Sequence, residues 1–252
     1  MDKPLGPLRT SGGHLHDLCR DLGDGDLERQ SYDTEWSIAQ VLSHLGSGAV
    51  ILRRRLQDIQ AGSATPDEFA PSVWDEWNAK APRAQADDAL VADEAVLEAL
   101  EDVSEADRAD LVFAMGPLSL GFNEFAGLRL NEHVFHTWDI EVVFDAAARL
   151  PQDATALVVD NLALIARFSG RPDGRERTVA IRTSDPARDV ALRLSADGVE
   201  LTPGESGQSP ELELPAEAFS RLVYGRLDPD HTPAFTGDAA VLHALRAVFP
   251  GP

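Results

Sequence analysis

The chain has 252 residues, enough for two modest domains with apolar cores of their own. Hydrophobic residues make up 43% and charged residues 26%, as in folded globular proteins, which excludes extensive disorder. The formal net charge is -21, from 43 acidic and 22 basic residues, and no run of Lys or Arg offers a stripe for phosphate backbones, which disfavours nucleic acid and anionic membranes as partners.

The first half of the chain shows the periodicity of amphipathic helices. Helices are predicted over residues 5–21 and 34–61, within about 73–102, and over 120–147. The second helix is well marked, because Asp33 or Thr34 can cap its start and Gly62 can end it. Four such helices favour a bundle.

The second half changes from helical to strand periodicity. A helix is predicted from about residue 151, before the glycine- and proline-containing stretch 169–174. Strands are predicted over 177–183, 189–195, 198–203 and 211–215, and helices over 216–226 and 237–249. The predicted fold class is therefore α+β, with a helical bundle over residues 1–170 followed by a small α+β domain over residues 171–252.

The fourth predicted helix carries polar residues on its apolar face. Glu132 and His136 lie one turn apart on that face, where an unpaired carboxylate would be costly. A carboxylate and an imidazole so placed resemble two of the three protein ligands of an open zinc site. His44, at the edge of the second helix's apolar stripe, is a candidate third ligand. A buried ion pair of Glu132 and His136 without metal is the alternative.

Other polar and aromatic residues near these ligands have less specific patterns. Asp139 shares the inner face and can accept a hydrogen bond from a ligand imidazole, although a surface charge is the alternative. His133 points about 100° away, so it is at most a neighbour of the site. Trp36 is expected to anchor the core. The remaining histidines are expected at surfaces or boundaries: His14, His16, His231 and His243.

The cysteine content and the N-terminal segment predict a soluble cytoplasmic protein. Cys19 is the only cysteine, so no disulfide can form within the chain, and we expect it to be a buried small hydrophobe. The first ten residues lack the apolar core of a signal peptide, and no apolar run approaches the length of a membrane span.

Two segments of the chain resemble the mycothiol-dependent maleylpyruvate isomerase family: TEWSIAQVLSHL at residues 34–45 and NEHVFHTWDI at residues 131–140. The resemblance continues in Tyr224-Gly225-Arg226 and in TGDAA at residues 236–240. It implies a DinB-like metal-binding four-helix bundle followed by a sterol-carrier-protein-like domain.

The resemblance also implies a chemistry. His44, Glu132 and His136 would hold a divalent metal, expected to be Zn²⁺, and mycothiol would be the co-substrate or cofactor. The metal would lower the pKa of the thiol, so that a thiolate is present at neutral pH. In an isomerase this thiolate adds to an activated alkene, allows rotation and leaves, whereas in a transferase it stays on the electrophile.

We therefore expect a metal-dependent isomerase or S-transferase for a small, electrophilic and anionic substrate, bound between the bundle and the second domain. Arg226 is expected to grip the anion as a bidentate fork. Alternatively, Arg226 neutralises a helix end or pairs with Asp228 or Asp230. Two rival functions are a thiol-independent enzyme that polarises a carbonyl, and a sensor protein whose metal only stabilises the bundle.

Overall fold

The computed structural model describes residues 4–115, 118–172, 174–205 and 207–251. The chain forms two compact units, Met1–Asp145 and Ala146–Pro252. The first unit is mainly helical and the second contains a five-stranded sheet with helices, which confirms the predicted α+β class. None of the described helices combines the length and the apolar character needed to cross a lipid bilayer.

Four long helices of the first unit form the predicted bundle. They are α1 (Leu5–Arg20), α3 (Ile38–Gln60), α5 (Pro82–Glu101) and α7 (Phe122–Glu141). The shorter helices are α2 (Asp24–Leu27), α4 (Phe69–Asn78) and α6 (Glu105–Asp110). Both α1 and α3 pack against α5 and α7, so the two helices that carry the predicted metal ligands, α3 and α7, are neighbours.

Helix α3 begins at Ile38 and not at residue 34, because Ser37 caps it. The Ser37 hydroxyl accepts the backbone N–H of Gln40 at 3.3 Å, and the Gln40 side chain accepts that of Ser37 at 2.8 Å. This capping box satisfies two backbone donors at once. The predicted cap Asp33 instead accepts the backbone N–H of Glu35 in the preceding loop. Gly62, with a φ of 70°, follows the end of the helix as predicted.

Two features before α7 differ from the predicted helices. The helical region at 73–102 is divided into α4 and α5, because Pro82 disfavours helical backbone at Ala81 and suits the first position of a new helix. An antiparallel hairpin of β1 (Val112–Met115) and β2 (Leu118–Gly121) precedes α7. The helix then starts at Phe122, where the Glu124 side chain accepts the backbone N–H of Gly121 at 2.7 Å.

The core of the bundle fixes the position of α3. Leu42 and Leu45 are fully buried, and the ring of Trp77 from α4 packs directly on Gly46. A Cβ atom at Gly46 would lie 2.2 Å from that ring, so only glycine permits this approach. The packing holds the face that carries His44 in place.

The second unit contains the predicted strands. Helices α8 (Gln152–Val158) and α9 (Leu162–Ser169) replace the single helix predicted from residue 151, because a 3₁₀ turn at Val159–Asn161 separates them. The five strands are β3 (Arg177–Ser184), β4 (Arg188–Ser195), β5 (Gly198–Pro203), β6 (Leu212–Pro215) and the short β7 (Thr236–Gly237). The two last helices are α10 (Ala216–Val223) and α11 (Ala239–Val248).

The sheet of the second unit has the order β5-β4-β3-β6-β7. Only β3 and β6 are parallel, and the other neighbours are antiparallel. Within the same unit, α8 packs against α10 and α9 packs against β5. The division predicted between residues 170 and 171 stays a prediction, because compactness of the folded chain does not say which segment folds by itself.

Candidate metal centre

The three predicted ligands meet at the contact between α3 and α7. The Nε2 atom of His44 lies 2.9 Å from Oε2 of Glu132, and Nε2 of His136 lies 3.6 Å from the same oxygen. One ligand atom from each residue lies within 4.8 Å of the other two. The i, i+4 spacing on α7 and the packing of α3 beside it therefore produce a compact group of two imidazoles and one carboxylate.

The donor set fits a divalent metal such as Zn²⁺. Zinc binds imidazole nitrogen and carboxylate oxygen at about 2.0–2.2 Å, so ligand atoms of a tetrahedral site lie about 3.3–3.6 Å apart. The separations at Glu132 are close to that range, and small side-chain rotations would reach it. No fourth His, Cys, Asp or Glu of the described ranges joins the group. Three protein ligands would leave one coordination position for an exogenous ligand.

Asp139 orients one of the ligand imidazoles. Its carboxylate is fully buried, and Oδ2 lies 2.9 Å from Nδ1 of His136. An ionised carboxylate only accepts hydrogen bonds, so Nδ1 donates its proton to Asp139, and Nε2 is the atom that would bind a metal once it gives up the proton that it directs to Glu132. A histidine that binds a metal through Nε2 needs such an acceptor for its Nδ1 proton.

The charge state of Glu132 suits a metal ligand. Burial raises the pKa of this carboxyl, but hydrogen bonds from His136 and His44 and the charges of the two imidazoles outweigh it and hold the pKa below its ordinary value. Glu132 is therefore ionised at neutral pH. About half of the Glu132 side chain is exposed, so the expectation that it faces the apolar core is wrong, and the group is open on one side.

Trp36 covers the two histidines. Its ring centroid lies 5.0 Å from that of His44 and 6.0 Å from that of His136, and the two imidazole centroids are 4.6 Å apart. Trp36 also packs against the core, as the sequence predicts. Its contact with both candidate ligands was not predicted, because Trp36 lies in the loop before α3 and not in the helix predicted over residues 34–61.

A cavity of about 260 Å³ opens beside the candidate ligands His44 and Glu132. Its wall is mostly apolar and includes Ile51, Leu52, Phe125, Leu128 and Trp74. The remaining lining residues are Gly48, Arg55 and Arg129. The cavity was not predicted, although residues 44, 48, 51 and 55 follow one face of α3 at helical spacing.

A second polar cluster lies on another face of α7 and is almost completely buried. His133 is fully buried, with Nε2 3.1 Å from Oδ2 of Asp93 and Nδ1 2.8 Å from the Ser11 hydroxyl. Nη2 of Arg129 donates to Oδ1 of Asp93 at 2.6 Å. The hydrogen bonds of the cluster link α1, α5 and α7, so His133 stabilises the bundle and is not a metal ligand.

Two further predicted residues lie elsewhere. Cys19 is buried, and burial raises the pKa of its thiol to about 12, which suits a core residue and not a nucleophile. Arg226 lies in the second unit, after the end of α10, and is 6% exposed. Its Nη1 donates to the carbonyl of Tyr224 at 3.0 Å, a contact that the helix-end alternative requires. A role for Arg226 in binding substrate stays a prediction.

Comparisons with known proteins relate the chain to one family. Residues 8–141 match the family described as mycothiol maleylpyruvate isomerase N-terminal domain. Two solved structures share the fold: the mycothiol-dependent maleylpyruvate isomerase and a histidine-to-alanine mutant of it. They are 15% and 14% identical to this chain, each with a TM-score of 0.66 over 94% of this chain and 93% of the other. A search of curated proteins finds no match.

Proposed function

The chain belongs to the mycothiol maleylpyruvate isomerase family, and from this premise we propose that it is a metal-dependent thiol enzyme. Its co-substrate or cofactor is mycothiol, its metal is Zn²⁺, and its substrate is a small electrophilic anion. The reaction is an isomerisation or an S-transfer.

One observation carries this proposal: two imidazoles and a carboxylate converge on one point that is open to a cavity. A group that served only to stabilise the bundle would be expected to offer a fourth ligand and to be sealed from solvent. Here three residues converge, and the side chains of His44 and Glu132 are 36% and 49% exposed.

The residues of the chain have separate tasks in this proposal. His44, Glu132 and His136 would hold the metal, which when bound lowers the pKa of a thiol so that a thiolate nucleophile exists at neutral pH. Asp139 holds His136 in the tautomer whose Nε2 can coordinate. Trp36 restricts the rotation of both imidazoles by packing against them.

The cavity has the properties of a substrate pocket. Its apolar wall, formed by Phe125, Leu128 and Ile51 among others, can hold the carbon skeleton of a small substrate beside the thiol.

Turnover with defined components tests the proposed function. Zinc-loaded protein is given maleylpyruvate with and without mycothiol, and the products are separated by chromatography and mass spectrometry. We expect consumption only when mycothiol is present, and loss of turnover in His136→Ala. A geometric isomer of the substrate as product would indicate an isomerase, whereas a thiol conjugate would indicate an S-transferase.

The same assay separates the rival functions. Consumption of substrate without any thiol would replace the proposal with carbonyl polarisation at the metal. If zinc-loaded protein turned over no electrophile in the presence of mycothiol while zinc still raised its melting temperature, the metal would be structural and the enzymatic proposal would be wrong.

A further inference from the structure

Two arginines line the cavity beside the metal centre, in a chain whose net charge is strongly negative. One of them, Arg55, lies on α3, on the same face as His44 and Gly48. It is half-buried and has no hydrogen-bond or ion-pair partner in the part of the chain that the structure describes. A guanidinium that lines an apolar wall without a carboxylate partner is a ready site for an anion.

The second arginine, Arg129, is held in place and keeps free donors. It is 3% exposed, and its Nη2 is bound to Asp93. Its Nε is buried and finds no acceptor within the described ranges. Its Nη1 lies 3.5 Å from the point where a Cβ atom of Gly48 would stand, and Gly48 itself lines the cavity. A buried donor without an acceptor is costly, so a ligand that supplies one would be favoured.

We propose that Arg55 and Arg129 form a carboxylate-binding subsite in the cavity beside the candidate metal centre. The carboxylate belongs to the substrate, and its carbon skeleton lies along the apolar wall toward the metal centre. A rise of about 1.5 Å per residue places Arg55 about 16 Å from His44 along α3, and the Nη1 atom of Arg129 lies beside Gly48, between these two positions. This inference rests on the proposed function for the identity of the ligand.

The subsite is distinct from the anion-binding role that the sequence predicts for Arg226, because all its residues belong to the first unit. It also assigns the two arginines different parts. Arg55 supplies a positive charge that no carboxylate pairs with. The charge of Arg129 is paired with Asp93, so Arg129 contributes mainly through the hydrogen-bond donors Nε and Nη1, which orient the bound carboxylate. Both are specificity-determining residues in this account, since neither touches the metal ligands' coordinating atoms.

Binding of maleate to the full chain, without thiol or turnover, tests the subsite. Maleate is a small carboxylate with an activated double bond, and dimethyl maleate is its uncharged counterpart. We expect Arg55→Gln to raise the dissociation constant of maleate about 10- to 100-fold by calorimetry, in zinc-loaded and in chelated protein alike. The affinity for dimethyl maleate should not change.

Arg53→Gln is the matched control. Arg53 lies on the same helix, about 160° around it from Arg55, is exposed, and likewise has no described partner, so the variant removes the same charge from outside the cavity. It should bind maleate within about twofold of wild type. Both variants should keep the wild-type melting temperature, because neither residue is in the core.

Equal maleate affinities in Arg55→Gln and Arg53→Gln would overturn the subsite, as would failure of the wild type to bind maleate at millimolar concentration. Loss of all maleate binding on chelation, with no effect of Arg55→Gln, would place the carboxylate on the metal and overturn it too. Failure of the proposed function is distinguishable, because Arg55-dependent binding without thiol-dependent turnover would refute that function alone.

Discussion

Two polar clusters that include residues of helix α7 differ in how far their side chains are exposed to solvent. The open cluster consists of His44, Glu132 and His136, and its side chains are between 11% and 49% exposed. The closed cluster consists of Ser11, Asp93, Arg129 and His133, and none of its side chains with a titratable group is more than 10% exposed. Both contain a histidine beside a carboxylate, so residue type alone does not distinguish them.

The comparison shows that a buried charged group needs hydrogen-bond or ion-pair partners that an exposed one does not. In the closed cluster both oxygens of Asp93 have cationic or imidazole partners, and both ring nitrogens of His133 have partners as well. A charge removed from water persists only with such pairing. In the open cluster the imidazoles keep coordinating atoms that face one another and a cavity, which is the arrangement that binding an exogenous ion or thiol requires.

Removal of the closed cluster's carboxylate should have the largest effect. Asp93→Asn leaves the buried guanidinium of Arg129 without a charged partner, so the free energy of unfolding should fall by about 3–5 kcal/mol in urea denaturation. At saturating zinc the folded variant should still bind the metal. Asp88→Asn is the control. Asp88 lies on α5 like Asp93, but its carboxylate is exposed and pairs with Lys80, so its removal should cost under about 1 kcal/mol. Equal losses of unfolding free energy in the two variants would show that the closed cluster does not stabilise the bundle.

The same carboxylate should make stability depend on acid. Burial raises the pKa of Asp93, but the charges and hydrogen bonds of His133 and Arg129 outweigh it, so the folded-state pKa lies below the ordinary value of about 3.9. A carboxyl group whose pKa is lower in the folded than in the unfolded state contributes its full stabilisation at pH values above the unfolded-state pKa. This contribution to the free energy of unfolding is lost as the pH falls toward the folded-state pKa. Wild type should therefore lose more unfolding free energy than Asp93→Asn between about pH 5 and pH 3. Parallel pH curves for the two proteins would contradict this.

A smaller effect is expected at Asp139, which is buried like the closed cluster but serves the open one. Asp139→Asn removes the charge that fixes the His136 tautomer, so zinc affinity measured by competition with a chelator should fall about 10- to 100-fold. The unfolding free energy of the metal-free protein should change much less than in Asp93→Asn, since an amide can still accept the hydrogen bond from Nδ1. Unchanged zinc affinity would remove Asp139 from the metal centre.

Most of the fold could be predicted from hydrophobic periodicity. The four bundle helices and four strands of the sheet are where the patterns place them, because each segment buries one face. The misses have local causes. Ser37 and Gln40 form a capping box that moves the start of α3, and Pro82 divides a predicted helical region. The hairpin of β1 and β2 was missed because its strands are too short to show a period.

The site could be predicted only where one helix carried the signal. Glu132 and His136 were found because polar residues interrupt an apolar face, and Asp139 because it shares that face. Asp93 and Arg129 are 36 residues apart, and their contact depends on how α5 packs on α7. Arg55 was missed because an arginine on a helix is ordinarily exposed, and only the cavity beside it distinguishes it from Arg53. Tertiary packing, not sequence spacing, defines these partners.

The metal content of the purified chain decides whether His44, Glu132 and His136 form a metal site. Protein produced in zinc-replete medium should carry about one divalent ion per chain by elemental analysis. His44→Ala and His136→Ala should each lose it, whereas His14→Ala should keep it, because His14 pairs with Glu141 at the surface and lies outside the open cluster. Wild-type protein without metal, or full retention by both His44→Ala and His136→Ala, would contradict the account.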